Sequence, residues 1–217
     1  MKFSFPVTCG CGETFTIHVS GNHLPRTADC PSCHASIYLI EPLGNVVGMA
    51  ILGRAWSELK GEDWTLAIVL AAMAVECELV YLFLKWNRID LGLVRNPTDA
   101  DNLEWEEQWS KLRSIAVRLD KLAVFLTADP FDAFLSQNGA HLKALHAKYP
   151  ASAAVASPKQ FFIEELFYKR NRIVHYGEIS FRQLDAEMCV SLATILSQIL
   201  AAMDIQRRNT LEAKWKT

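Results

Sequence analysis

Glycine and proline are scarce in this sequence, 10 and 8 of 217 residues. That scarcity excludes a low-complexity or collagen-like chain. Neither sign of charge dominates, since 22 Lys and Arg stand against 24 Asp and Glu for a formal net charge of -2. A uniformly basic nucleic-acid coat is therefore excluded, and any site for a polyanion has to be a local patch. Met1 to Val7 holds one lysine but neither a continuous apolar run nor a small-residue cleavage site, so no secretory leader is expected. The sequence contains no Walker-type phosphate loop, no His-Glu-x-x-His and no Gly-x-Ser-x-Gly. An ATPase, a zinc protease and an α/β-hydrolase thus have nothing to rest on. Thr65 to Leu84 is long enough to cross a bilayer, but Glu76 and Glu78 near its middle would each cost roughly 2.5 kcal/mol or more there. A buried core helix, a cytoplasmic protein and no membrane partner are the expectation.

What is present divides unevenly. A hydrophobic fraction of 51% supplies a core. Of the six cysteines, Cys9, Cys11, Cys30 and Cys33 crowd the first 33 residues, while Cys77 and Cys189 stand alone in apolar stretches and read as core thiols. Residues 3–40 alternate in short runs (Phe3, Phe5, Val7; Phe15, Ile17, Val19; then Ile37, Leu39, Ile40), with Gly10, Gly12, Gly21, Asn22, Pro25 and Pro31 between them. So short a β segment cannot bury a sufficient core and needs a staple. In a reducing compartment, paired cysteines point to a metal before a disulfide.

From Glu62 onward helical periodicity takes over. Helices are predicted over 62–90, 102–127, 130–148, 158–176 and 181–212. Their starts are marked by Asp129-Pro130, by Ser157-Pro158-Lys159-Gln160 and by Ser180-Phe181-Arg182-Gln183, and Gly177 marks a stop. The first helix is apolar on nearly every side and belongs at the centre. The organisation read from the sequence is a small β module over 1–42, a linker with a short helix over 43–61 and a helical bundle over 62–217. The fold class is mainly α, an antiparallel bundle of about five helices behind a small N-terminal β unit.

Two constellations carry chemistry. Cys9-Gly10-Cys11-Gly12 and Cys30-Pro31-Ser32-Cys33 are close pairs that a hairpin can bring into one tetrahedron, for which Zn²⁺ is the expected ion. A closed four-thiolate site has no open position, so the role is structural. Val7 to Gly12, Phe15-Thr16-Ile17, Gly21 and Cys30 to Cys33 resemble small bacterial zinc ribbons, in which the second pair is usually followed by Gly where this chain has His34.

The second constellation is Lys169-Arg170-Asn171-Arg172-Ile173-Val174-His175-Tyr176-Gly177. Arg170 can bind phosphate, His175 can move protons near neutral pH, and Asn171 can orient by hydrogen bonding. RNA brings its own nucleophile in the 2′-OH, so cleavage can proceed without a metal. Asn171 lies on nearly the face of His175, whereas Arg170 is about 140° away around the helix. Two such helices about a two-fold axis would pool two Arg and two His in one groove. Residues 143–176 also hold six Lys and Arg against two acids, a net of +4, and Tyr168 or Tyr176 could stack on bases.

The Arg-Asn-x-x-x-His element late in a helical bundle resembles the HEPN superfamily. The resemblance covers roughly residues 62–212 in architecture but only three residues in motif. It implies a homodimer with metal-independent endoribonuclease activity of defence or toxin type, giving 2′,3′-cyclic phosphate ends. His175 would be the general acid/base, Arg170 the stabiliser of the phosphorane, Asn171 a positioning group, and Glu76 the acidic residue of the early helix, paired with Arg170 or Arg172. RNA, single-stranded or tRNA-like, is the implied partner, together with a protein partner or antitoxin. A non-catalytic RNA- or nucleotide-binding module and a zinc-ribbon regulatory adaptor are the alternatives.

Overall fold

The computed structural model describes residues 2–8, 11–20, 27–34, 36–38, 46–92, 95, 98–155 and 157–215. The chain separates into two compact units, Met1–Gly44 and Asn45–Thr217.

In the first unit, β1 (Lys2–Thr8) pairs antiparallel with β2 (Thr14–Ser20). The register sets Phe3 opposite Val19, Phe5 opposite Ile17 and Val7 opposite Phe15, so the alternating positions of the two strands meet. A second hairpin joins β3 (Thr27–Asp29) to β4 (Ser36–Tyr38). β3 carries no alternation and was not legible in sequence; Leu39 and Ile40 lie outside the described residues.

The second unit is helical. α1 (Val46–Lys60) is a full helix packed along α2 (Trp64–Gly92), where the sequence suggested a linker with a short helical piece. Ala55 on α1 is fully buried in the core. α2 is central: it also packs on α9 (Gln183–Trp215) and touches α3 (Asp99–Ser110), α4 (Ile115–Thr127) and α8 (Lys169–Tyr176). α2 and α9 are both long and apolar enough to cross a membrane, yet half of each apolar window is buried inside the protein. Their packing seam holds Lys85, whose Nζ donates to Asp204 at 2.8 Å, and the Trp86 indole, which donates to the same carboxylate at 2.6 Å. Core helices read that way, with polar groups matched against each other.

Several boundaries differ from the sequence reading. The expected helix 102–127 breaks at residues 111–114, because the Ser114 hydroxyl accepts from Val117 N–H and starts a new helix. Arg118 staples that break, donating to the Leu112 carbonyl at 2.9 Å while its guanidinium lies over Trp109. The expected helix 130–148 divides into α5 (Phe131–Gln137) and α6 (Gly139–Lys148) at Asn138, whose amide donates back to the Phe134 carbonyl. Asn138-Gly139 is a turn signal that could have revealed this division. The Asp129-Pro130 start is capped from elsewhere: Asp120 of α4 accepts from Phe131 N–H. At α7 (Pro158–Phe162), Ser157 accepts from Gln160 N–H, but the Gln160 side chain donates to Glu164 instead of completing a capping box. α9 starts two residues later than expected, and Asp185 rather than Ser180 receives the free amide of Arg182.

Candidate active site and metal centre

Between α7 and α8 the helix continues through a π-helical segment, Ile163–Tyr168. A wide turn takes up an extra residue and so rotates everything after it by about 100°. The consequence is visible in burial: Phe161, Phe162, Leu166 and Phe167 are in the core, whereas α8 buries no residue. Inside the wide segment the carbonyl of Glu165 accepts from the Cys189 thiol at 3.1 Å. Burial pushes that thiol up to about 12, so it stays protonated and serves as a donor. Cys189 is thus a core thiol. Cys77 is only half-buried; burial first, and the neighbouring Glu76 second, raise its pKa.

α8 carries the Arg-Asn-x-x-x-His element. Arg170 Nη2 donates to Glu76 Oε2 of α2 at 3.1 Å, and its Nη1 donates to Asn171 Oδ1 at 2.8 Å. The bond to Asn171 draws the guanidinium toward the face that ideal helical spacing denies it. Nε of Arg170 is enclosed and has no hydrogen-bond partner among the described residues. The Arg170 and Glu76 side chains are 22% and 28% exposed, so the pair is largely but not wholly withdrawn from water. Asn171 uses its carbonyl oxygen here, which leaves its NH2 group as a donor. Glu78 faces a different neighbour. Burial raises its pKa, the hydroxyl of Ser197 on α9 partly opposes that rise, and the Asp204 charge adds to it.

His175 is exposed, one turn beyond Asn171. Gly177 ends the helix with φ 65°, and its N–H donates to the Ile173 carbonyl. Only glycine takes that conformation without cost.

The positive patch expected over residues 143–176 is largely cancelled in space. Lys159 is bonded to Asp120, Lys169 to Glu165 and Asp185, Arg170 to Glu76, and Arg172 to Glu178. Three of those acids, Glu76, Asp120 and Asp185, come from other helices. The two cations of this segment outside these pairs are Lys143 and Lys148, and Lys148 lies over the Tyr149 ring.

In the first unit the donor atoms of Cys11, Cys30 and Cys33 all lie within 4.8 Å of one another. Cys11 Sγ and Cys30 Sγ are 3.7 Å apart. That is far beyond the roughly 2.05 Å of a disulfide. It matches the edge of about 3.8 Å that thiolates at roughly 2.3 Å from a tetrahedral zinc would span. Three sulfurs so placed can hold a metal ion. Cys9 lies outside the described residues. Cys30 is buried and the other two are exposed. Cys11 lies in the connection between β1 and β2, and Cys30 and Cys33 lie in the connection between β3 and β4. His34 stands where the resemblance has glycine, and it takes φ 58° while its N–H donates to the Cys30 carbonyl. The backbone at that position has the left-handed form that explains a glycine preference.

No protein-family model matches the chain, and no curated protein or solved structure is detectably similar to it.

Proposed function

We propose that the chain is a metal-independent endoribonuclease of HEPN type, of the defence or toxin class, with an active groove completed by a second copy. The observation that carries this reading is Arg170, held by Glu76 and Asn171, close along α8 to the exposed His175. In this reading the substrate 2′-OH attacks the adjacent phosphorus, and the 5′-oxygen leaves. One imidazole accepts the 2′-OH proton and another protonates the leaving oxygen, which is why two copies of His175 are required. Arg170 stabilises the charge that builds on the phosphorane, and Asn171 positions the phosphate or the imidazole. The products are a 2′,3′-cyclic phosphate and a 5′-OH.

Exposed apolar side chains support self-association at this place. Val174, Tyr176 and Ile179 are exposed on and after α8, and Met73 is exposed one turn before Glu76 on α2. The ribbon in this reading holds Zn²⁺ through Cys9, Cys11, Cys30 and Cys33, and contacts RNA, a protein partner or an antitoxin. Arg170 is already paired with Glu76, so phosphate has to compete for it, whether the groove cleaves RNA or is a non-catalytic binding module.

RNA incubated with EDTA-treated protein and with His175→Ala tests the proposal. Cleavage should persist in EDTA and fall by about 10²- to 10⁴-fold in the variant. Unchanged cleavage by His175→Ala sinks the catalytic assignment, and binding without cleavage by the wild type selects the binding module.

A further inference from the structure

We propose that Tyr168 is a nucleobase platform beside the Arg170/His175 groove, so that the substrate is single-stranded RNA held partly by stacking. The inference rests on the ribonuclease reading for its ligand and adds a substrate class and a binding residue to it.

The helical backbone is regular from Tyr168 onward, with φ -66° and ψ -41° at Tyr168 itself. Spacings of three and seven residues then put Tyr168 on the same face as Asn171 and His175, with Arg172 beside them. The stripe offers an aromatic ring, an amide, a guanidinium and an imidazole in a row. From Tyr168 to His175 the axial rise is about 10 Å, roughly three steps of the 3.4 Å spacing of a stacked strand. A base on Tyr168 thus lies within a few nucleotides of a phosphate at His175.

The ring is presented rather than buried. Phe161, Phe162 and Phe167 of the same helical run are in the core, while Tyr168 is 59% exposed. Tyr168 closes the wide segment one residue past the buried Phe167, about 100° round the helix from it, and α8 beyond it buries no residue. The ring is also supported on one side. The Arg172 guanidinium carbon is 5.9 Å from the Tyr168 centroid and 5.9 Å from that of Phe181, a buried ring at the base of α9. Arg172 is itself bonded to Glu178, which accepts from Ser180 as well. A ring braced in this way loses little freedom when a base covers its open face. Tyr176, the exposed aromatic of α8 at 83%, stands about 100° round from His175 and has no such brace among the described residues. Paired bases already have both faces covered by neighbours, so stacking on Tyr168 selects unpaired RNA.

The test measures affinity for a 2′-O-methyl RNA oligonucleotide, which binds but cannot be cleaved, and cleavage of the matching RNA. Tyr168→Ala should weaken binding of the single strand about 5- to 100-fold. Its kcat at saturation should stay near the wild-type value, and its circular dichroism should be unchanged because the residue is exposed. Tyr168→Phe and Tyr168→Trp should bind like the wild type, and the Trp variant should lose fluorescence on binding. The same sequence in a duplex should bind more weakly to the wild type than the single strand does. Wild-type affinity in Tyr168→Ala, or a preference for the duplex, overturns the platform. If the wild type cleaves RNA and Tyr168→Ala cleaves equally well at low substrate, the platform fails and the ribonuclease reading survives. If binding depends on Tyr168 but the wild type does not cleave, the platform stands and catalysis fails.

Discussion

In Met1–Gly44 the described order consists of two short hairpins and a cluster of three sulfurs, whereas in Asn45–Thr217 some thirty apolar side chains share one core. The first has too little apolar surface to fold on burial alone, and a metal at the sulfurs would supply most of its folding free energy. The second has its free energy distributed over many contacts, such as Phe83 against Trp109 at 4.9 Å and Phe131 against Phe162 at 6.2 Å. A fold held at one point fails all at once when that point is lost. A fold held by a core loses stability in increments.

Metal removal gives the largest effect and the sharpest test of that contrast. Structural zinc contributes about 10–16 kcal/mol in small zinc modules. If Cys11, Cys30 and Cys33 hold such a metal, stripping it with a strong chelator should abolish the dispersed amide signals of β1 to β4 in an NMR spectrum while leaving helical ellipticity at 222 nm unchanged. A bundle that melts together with the two hairpins would break the comparison. Phe162→Ala comes next. Phe162 is fully buried, so its truncation should lower stability by about 3–5 kcal/mol in denaturant titrations, with no change in bound metal. The smallest effect is expected at Glu78. Burial raises its pKa in the folded state, so between its unfolded and folded values the native protein binds the extra proton. Stability from this group accordingly falls as pH rises through that window. Glu78→Gln should remove the loss, raising stability above the window by under about 1 kcal/mol, the scale of one neutral hydrogen bond. Thermal midpoints measured across pH check this, and the two proteins should converge at low pH.

Legibility in the sequence differed between the same two units. The ligand spacing at Cys11, Cys30 and Cys33 and the alternation of β1 and β2 are local patterns, and the sulfur cluster and the register follow them. In the bundle, the apolar α2 and the Gly177 stop were equally plain. The π-helical segment was not, because no residue type in Ile163–Tyr168 announces it; it is set by how Phe162, Leu166 and Phe167 reach the core and by the Cys189 thiol that takes the Glu165 carbonyl. The cancellation of the positive segment was equally hidden. Its acids Glu76 and Asp120 are remote in the chain from Arg170 and Lys159, at separations of 94 and 39 residues.

By itself the sequence determined the division into a cysteine-rich β unit and a helical unit, most of the helical segments, and which residues had chemistry to offer. Those properties arise from interactions within a few residues, capping, periodicity and ligand spacing, which any local stretch carries with it. Only the tertiary structure decided that Glu76 pairs with Arg170 rather than Arg172, that the face shared by Tyr168 and His175 is open to solvent, and that the positive charge around them is mostly matched. Those outcomes depend on how α2, α8 and α9 settle against one another, and packing fixes a helix's rotation through contacts between residues far apart in the chain.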